Sequence, residues 1–437
     1  MKNLFLLILV VLINITTNAQ LKMTGEFRPR AEFLHGYKSP QLLTRQMFSI
    51  QTTQRSRINF EYKADRYKFG FQLQDVRAWG SQSQLVIADG ANTSVHQAWG
   101  EFLFNENLSL KMGRMELNYD DQRIFGNVDW QQQGRSHDLA LLKYEKKDAF
   151  SLHIGWATNQ VQSFYYNIAG NYKAMQFLWF NKKFGKNYTL SLLALNNGVQ
   201  NDTVGNLPIH TVFSQTIGQR SVYTLNKFTF SANAYYQMGN DKSTYIDNNA
   251  KVQYKKLSAY DLGLDASYKL GDFHTITLGY ELLSGIDQTD TTTAYKHGIS
   301  AFNPLYGTNH KFNGWMDYFY VGNHANSVGL QDIYLHVEFK KEKHEGGIHI
   351  HQFLSAAPIL DAKEFIKSGK VQELSSNLGT EFDIYGGYKF TDEVAFKAGI
   401  SFMLPTSTLT TLRGGKLDAT NYWGWMQFVF KPNFMAK

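Results

Sequence analysis

The chain has 437 residues, with 44 Lys and Arg against 37 Asp and Glu, a formal charge of +7, no cysteine, 15% aromatic residues, 35 glycines and 7 prolines. Without thiols, disulfides and thiolate metal sites are excluded. The basic residues alternate with acidic ones instead of forming a stripe, which argues against nucleic acid as a partner.

Residues 1–19 read as a signal peptide: Lys2 precedes an apolar run over residues 4–13, and Thr17-Asn18-Ala19 supplies small residues before a cut at Ala19. A retained helical anchor is the alternative, but the run is only about ten residues long and a spanning helix needs about twenty. Loss of Lys2 lowers the charge from +7 to +6. Beyond residue 20 no uninterrupted apolar stretch is long enough for a spanning helix, so any membrane crossing must use strands. No linker rich in Pro, Gly or Ser divides residues 20–437, and a single domain is expected.

From Leu21 the chain alternates with period two. Leu21, Met23, Phe27, Ala31 and Phe33 fall on one face, and Lys22, Thr24, Glu26, Arg28, Arg30 and Glu32 on the other, so one face suits lipid and the other water. The same pattern places strands at 21–35, 49–63, 67–78, 93–104, 108–118, 136–146, 149–158, 172–184 and 188–196. It continues at 211–224, 228–238, 257–269, 273–284, 328–340, 346–354, 378–390, 394–403 and 421–432. Tight links such as Lys147-Asp148 and Gly271-Asp272 alternate with long ones. That rhythm predicts an all-β fold, a transmembrane antiparallel β-barrel of about eighteen strands with short periplasmic turns and long extracellular loops. The last strand, from Tyr422 to Phe430, is aromatic at both ends, as expected where it crosses two membrane interfaces, and Phe434 follows it as a terminal aromatic.

By parity, Arg28 and Arg30 on the first strand and Arg55 and Arg57 on the second point into the lumen as a basic ladder. Arginine suits an anion path because its planar fork pairs with carboxylates bidentately and stays charged. The alternative is internal pairing with Glu26, Glu32 and Glu61 that braces the wall. Residues 285–327 are too long for an ordinary loop and hold Trp315, Tyr318, Phe319 and Tyr320 together, so this segment is expected to fold inward, with His310, Lys311, Trp315 and Asp317 as candidate gate residues. Removal of residues 308–320 is expected to raise single-channel conductance. Residues 360–367 carry apolar positions at helical spacing and predict a short loop helix, either a surface helix or a lid.

The strands flanking residues 341–345 place His336 opposite His351 and Glu338 opposite His349, all facing water. Such a group could bind Zn²⁺, although ordinary titratable lumen residues are the alternative, and no cofactor is expected. There is no Gly-rich phosphate loop, no Ser, His and Asp grouping, and His344-Glu345-Gly346-Gly347-Ile348 lacks the second histidine of a metalloprotease helix, so no enzyme is expected.

The stretch Gly113-Arg114-Met115-Glu116-Leu117, Asp120-Asp121-Gln122-Arg123-Ile124-Phe125-Gly126, Asp129-Trp130, Gly134-Arg135-Ser136-His137-Asp138 resembles the alginate-export porin family. A second similar stretch runs Phe302-Asn303-Pro304-Leu305-Tyr306-Gly307, His310-Lys311-Phe312-Asn313-Gly314, Met316-Asp317-Tyr318-Phe319. The resemblance implies an electropositive, loop-gated outer-membrane channel of a Gram-negative bacterium that passes an anionic, alginate-like exopolysaccharide. An anion- or oligosaccharide-selective uptake porin is the alternative. It also implies that Arg114, Arg123, Arg135 and Asp138 flank an extracellular loop near the outer mouth, either on the substrate path or as loop-anchoring ion pairs. The expected partners are the anionic polysaccharide or small anionic solutes, outer-membrane lipid and periplasmic export proteins, with the channel itself a monomer.

Overall fold

A computed structural model describes residues 20–42, 47–84, 93–159, 172–201, 210–290, 292, 297–319 and 327–435. The expected signal peptide and Tyr320 lie outside them. The described strands are β1 (Gln20–His35), β2 (Ser49–Lys63), β3 (Tyr67–Ala78), β4 (Thr93–Leu103), β5 (Leu108–Met115), β6 (His137–Lys146), β7 (Phe150–Thr158), β8 (Ala174–Phe184) and β9 (Tyr188–Asn201). They continue as β10 (His210–Leu225), β11 (Phe228–Ile246), β12 (Val252–Leu270), β13 (His274–Leu283), β14 (Leu330–Lys341), β15 (His344–Leu354), β16 (Asn377–Lys389), β17 (Val394–Pro405) and β18 (Asn421–Phe430). Each pairs antiparallel with its sequence neighbour, and β1 pairs with β18, so the 18-strand sheet closes on itself. A further two-residue strand, Gly298–Ile299, adds in parallel to β12. Closure leaves no edge, the condition for placing backbone amides in hydrocarbon. Among the described residues no helix is long and apolar enough to cross a membrane.

All eighteen expected segments are present, and the boundary differences have local causes. β5 ends at Met115 because the chain turns into the lumen there: Gly113 has φ 121°, and a Cβ on it would lie 2.2 Å from the Ala98 carbonyl oxygen. β11 and β12 extend to Ile246 and from Val252 through a bulged pairing between Asn240 and Thr244. The polar run Asn240-Asp241-Lys242-Ser243-Thr244 hides that extension, because it carries no apolar alternation.

Phe27, Ile58, Phe69, Leu178, Leu262, Leu278, Ile333, Ile348 and Ile384 line the exposed exterior, as the alternation predicts. The interior departs from expectation, because it is not polar throughout. Leu139 and Leu141 of β6, Met175 and Phe177 of β8, and Leu193 and Leu195 of β9 are buried inward-facing residues. They meet Leu117, Tyr119, Ile124 and Phe125 from the segment between β5 and β6, with Phe125 and Phe177 ring centroids 4.8 Å apart. Each fully buried side chain of this size contributes about 1.5–3 kcal/mol, so the apolar sector is a docking surface for a loop inside the barrel. On the closing strand Tyr422 at one end and Phe428 and Phe430 at the other share the outward parity, whereas Trp423 and Trp425 share the inward face with Asn421 and Gln427 and are buried in the lumen.

Among the described residues two short α-helices sit in the loops. Helix α1 (Ala362–Ser368) starts where the Asp361 carboxylate accepts from the Lys363 and Glu364 amides at 3.1 Å and stops at Gly369, φ 73°. It buries no residue and leaves Ile366 85% exposed, a surface helix and not a packed lid. Helix α2 (Ser407–Arg413), which sequence reading missed, buries Leu409 and sends Arg413 Nη2 to the Tyr318 carbonyl at 3.0 Å.

Candidate functional site: two inward loops between a basic and an acidic wall

The arginine ladder forms as parity requires. Arg28 faces Arg55 across the β1–β2 register, and Arg28, Arg30, Arg55 and Arg57 are all buried. What covers them is the chain itself. The segment 116–136 folds into the barrel and places the Asp129 carboxylate between two guanidiniums, 2.7 Å from Arg55 Nη2 and 3.4 Å from Arg28 Nη1. Arg28 Nε donates to Gln132 Oε1 at 3.0 Å, Arg30 Nη1 to the Trp130 carbonyl at 2.6 Å, and Arg57 Nη2 to the Gln133 carbonyl at 3.3 Å. Arg30 also lies over the Trp130 ring at 4.2 Å. Bracing pairs exist as well, since Glu26 reaches Arg55 at 2.6 Å and Glu32 reaches Arg30 at 3.0 Å.

Burial alone would raise the Asp129 carboxyl, but the Arg55 and Arg28 guanidiniums outweigh it and bring it down to about 2. The docked value lies below the roughly 3.9 of a free aspartate, so this contact is complete above about pH 4 and weakens as pH falls towards 2. Single-channel conductance is therefore expected to stay flat from about pH 8 to about 4 and to rise below that range. A rise between about pH 5 and 7 would assign loop docking to another group.

The second inward segment, within 300–319, packs on the first. Phe125 and Tyr306 form a parallel bridge with rings stacked at 5.8 Å, and Arg135 Nη1 donates to the Gly307 carbonyl at 2.9 Å. The Trp130 and His310 rings stack at 4.8 Å. Further round the barrel from the arginines stands an acidic wall that sequence reading did not single out: Asp261 (β12), Glu281 (β13), Asp332 (β14), and Glu381 and Asp383 (β16), all buried. Arg123 crosses to it, with Nε 3.1 Å from Asp261 Oδ2 and Nη2 2.7 Å from Glu281 Oε2. Burial opposes its charge, yet Glu281 and Asp261 hold the Arg123 proton more tightly than usual. Asn313 Nδ2 donates to Glu281 at 2.7 Å, and the Met316 amide donates to Glu381 Oε1 at 2.7 Å. Gly314, at φ 80°, allows this approach, because a Cβ would sit 2.6 Å from the Glu381 carboxyl carbon.

The candidate gate residues are drawn together inside the barrel. His310 Nδ1 is 2.9 Å from Asp317 Oδ1, Lys311 Nζ donates to the Asp121 carbonyl at 3.0 Å, and Trp315 lies 5.2 Å from both the His349 and Tyr385 rings. Arg123 and Arg135 both lie in the inward segment 116–136, Arg123 bonding to Asp261 and Glu281 and Arg135 to the Gly307 carbonyl. Arg114 and Asp138 pair at 2.7 Å but share the outward face with Met112 and Leu142, so their assignment to the lumen is corrected. The parity of β5 and β6 turns them away from the path. The β14–β15 register places His336 opposite His349, and Tyr334 opposite His351, two residues from the expected pairing. A shift of two keeps the same face, so the histidines still converge.

Below the loops lies a cavity of about 790 Å³ that reaches the periplasmic turn at Thr391-Asp392-Glu393. Arg28, Lys311, Lys389, Lys397 and Lys431 line it together with Glu26, Asp129, Glu338, Asp392 and Glu393. The lumen is thus divided into basic and acidic sides and is not uniformly electropositive. A groove of about 620 Å³ near Tyr223, Phe230, Leu264, Leu278 and Ile333 belongs to the lipid-facing exterior.

A closed barrel with an apolar exterior, a charged lumen and loops folded into that lumen defines an outer-membrane channel of a Gram-negative bacterium. The chain belongs to the alginate export family, whose profile matches residues 15–421. No curated protein matches the sequence significantly. Among solved structures it is similar to the outer membrane protein OprD from Pseudomonas aeruginosa, with 13% identity, TM-score 0.61, and 95% of this chain and 94% of that chain covered. OccK8 (OprE) of the same organism gives 10% identity, TM-score 0.59 and coverage of 95% and 99%. OccK2 (OpdF) in complex with glucuronate gives 12%, 0.56, and 95% and 99%. The matched family and these neighbours are channels and porins.

Proposed function

We propose that this channel exports an anionic, carboxylate-bearing polysaccharide of the alginate type through the lumen, with the two inward loops as its gate. One observation carries the reading: the Asp129 carboxylate sits in a two-arginine seat while 54% of its side chain remains open towards the cavity. A uronate carboxylate has the same charge and fork geometry and competes for that seat. Displacement of Asp129 then couples arrival of the polymer to release of the loop. Family membership and the glucuronate complex of OccK2 support a sugar acid as solute. The channel acts as a monomer that receives polymer from periplasmic export partners, and no bond-making chemistry is assigned to it.

Uptake of small anionic sugars is the second reading, favoured by that same glucuronate complex, whose ligand is a monosaccharide. Planar-bilayer recording with polyuronate on the periplasmic side decides between them. Export predicts polymer-dependent, side-dependent block that a neutral polymer of equal length does not produce. Symmetric conductance of small anions without polymer block favours uptake.

A further inference from the structure

We propose that His336 of β14 and His349 and His351 of β15 form a binding site for a divalent transition-metal ion, with Zn²⁺ the best chemical match, in the lumen wall beneath Trp315. One nitrogen from each ring lies within 4.8 Å of the other two. Zn–N bonds of about 2.0–2.1 Å in tetrahedral geometry require separations of roughly 3.3 Å, which ring rotation within a fixed pair of strands can supply. Imidazole nitrogen selects Zn²⁺ and its neighbours over Mg²⁺ and Ca²⁺, which take oxygen ligands.

The surroundings are those of ligands and not of ordinary lumen histidines. His351 Nδ1 is 2.9 Å from Asp332 Oδ2, so Nδ1 donates to the carboxylate and Nε2 is the nitrogen left for a metal. That Nε2 lies 3.4 Å from His336 Nε2, two ring nitrogens facing one another across the strands. His349 is only 8% exposed, and its Nε2 has no hydrogen-bond partner, an orphan that a metal would satisfy. Glu338 Oε1 stands 3.6 Å from His349 Nε2 and offers the fourth ligand. Asp383 Oδ2, also without a hydrogen-bond partner and 4.0 Å from His351 Nε2, adds negative charge behind the site. Glu338 and His349 line the cavity, which provides the route of access.

The test uses the full chain purified in detergent without a polyhistidine tag, stripped with chelator, equilibrated with Zn²⁺ and washed. One Zn²⁺ per chain is expected, with loss of most of it in His336→Ala and His351→Ala and none in His274→Ala. Asp332→Asn, which keeps the shape and removes the carboxylate that orients His351, should weaken binding ~10–100-fold. Loading with Co²⁺ should give the strong visible absorption of a tetrahedral site. Heat-modifiable gel mobility verifies folding, and if an alanine variant fails to fold, Asp332→Asn and His349→Gln decide. No Zn²⁺ on the unaltered protein, or equal Zn²⁺ on the folded variants, overturns the site. The outcome is independent of whether polyuronate blocks the pore.

Discussion

Arg123→Met should open the lumen while leaving the barrel folded. The guanidinium is 1% exposed and bridges Asp261 and Glu281, so its removal leaves two carboxylates facing each other without a cation. Breaking such a buried pair from one side costs about 3–5 kcal/mol. That cost falls on loop docking, because Arg123 belongs to segment 116–136 and the strand ladders keep every backbone pairing they had. A shift of this size changes the ratio of docked to open loop roughly a hundredfold or more. Single-channel conductance should rise, and heat-modifiable gel mobility should remain that of a folded barrel. Unchanged conductance in a folded variant would show that Arg123 does not hold the loop.

Asp129→Asn should have the second-largest effect, and a different one. Arg28, Arg30 and Arg55 keep the carbonyls of Gln131, Trp130 and Gln132, so the loop is loosened but not released, and conductance should rise less than in Arg123→Met. What changes is the seat: Arg55 and Arg28 lose the carboxylate between them. Hydrogen bonds to charged groups contribute about 1.5–3 kcal/mol, and the half-exposed Asp129 side chain calls for the lower part of that range. The apparent affinity for polyuronate, read from channel block, should therefore increase about tenfold. A weaker block would mean that Asp129 assists the solute and does not compete with it.

The barrel wall was legible because strands repeat every two residues and one face meets lipid, which marks each strand by its own composition. The arginine ladder followed from the same parity. Its partners did not, since Asp129 lies 101 residues from Arg28 and loops carry no periodicity to report where they fold. The inward apolar sector was hidden for another reason. Leu139-Ala140-Leu141-Leu142 is apolar on both faces, and alternation says nothing where it is missing. The acidic wall is one or two carboxylates per strand, from Asp261, Glu281, Asp332, Glu381 and Asp383, and becomes a single feature only after closure gathers them. The histidine register moved because the turn between β14 and β15 contains only Glu342 and Lys343, with Glu342 at φ 49°, in place of a five-residue link.

The seam between β1 and β18 has a consequence for biogenesis. Phe27 meets Phe430, the Gly25 amide donates to the Pro432 carbonyl, and the Phe434 amide donates to the Met23 carbonyl. β1 therefore waits for β18, and a chain that lacks β18 cannot close this junction. Until then the margins of both strands are unpaired, the state in which a sheet edge pairs with other chains.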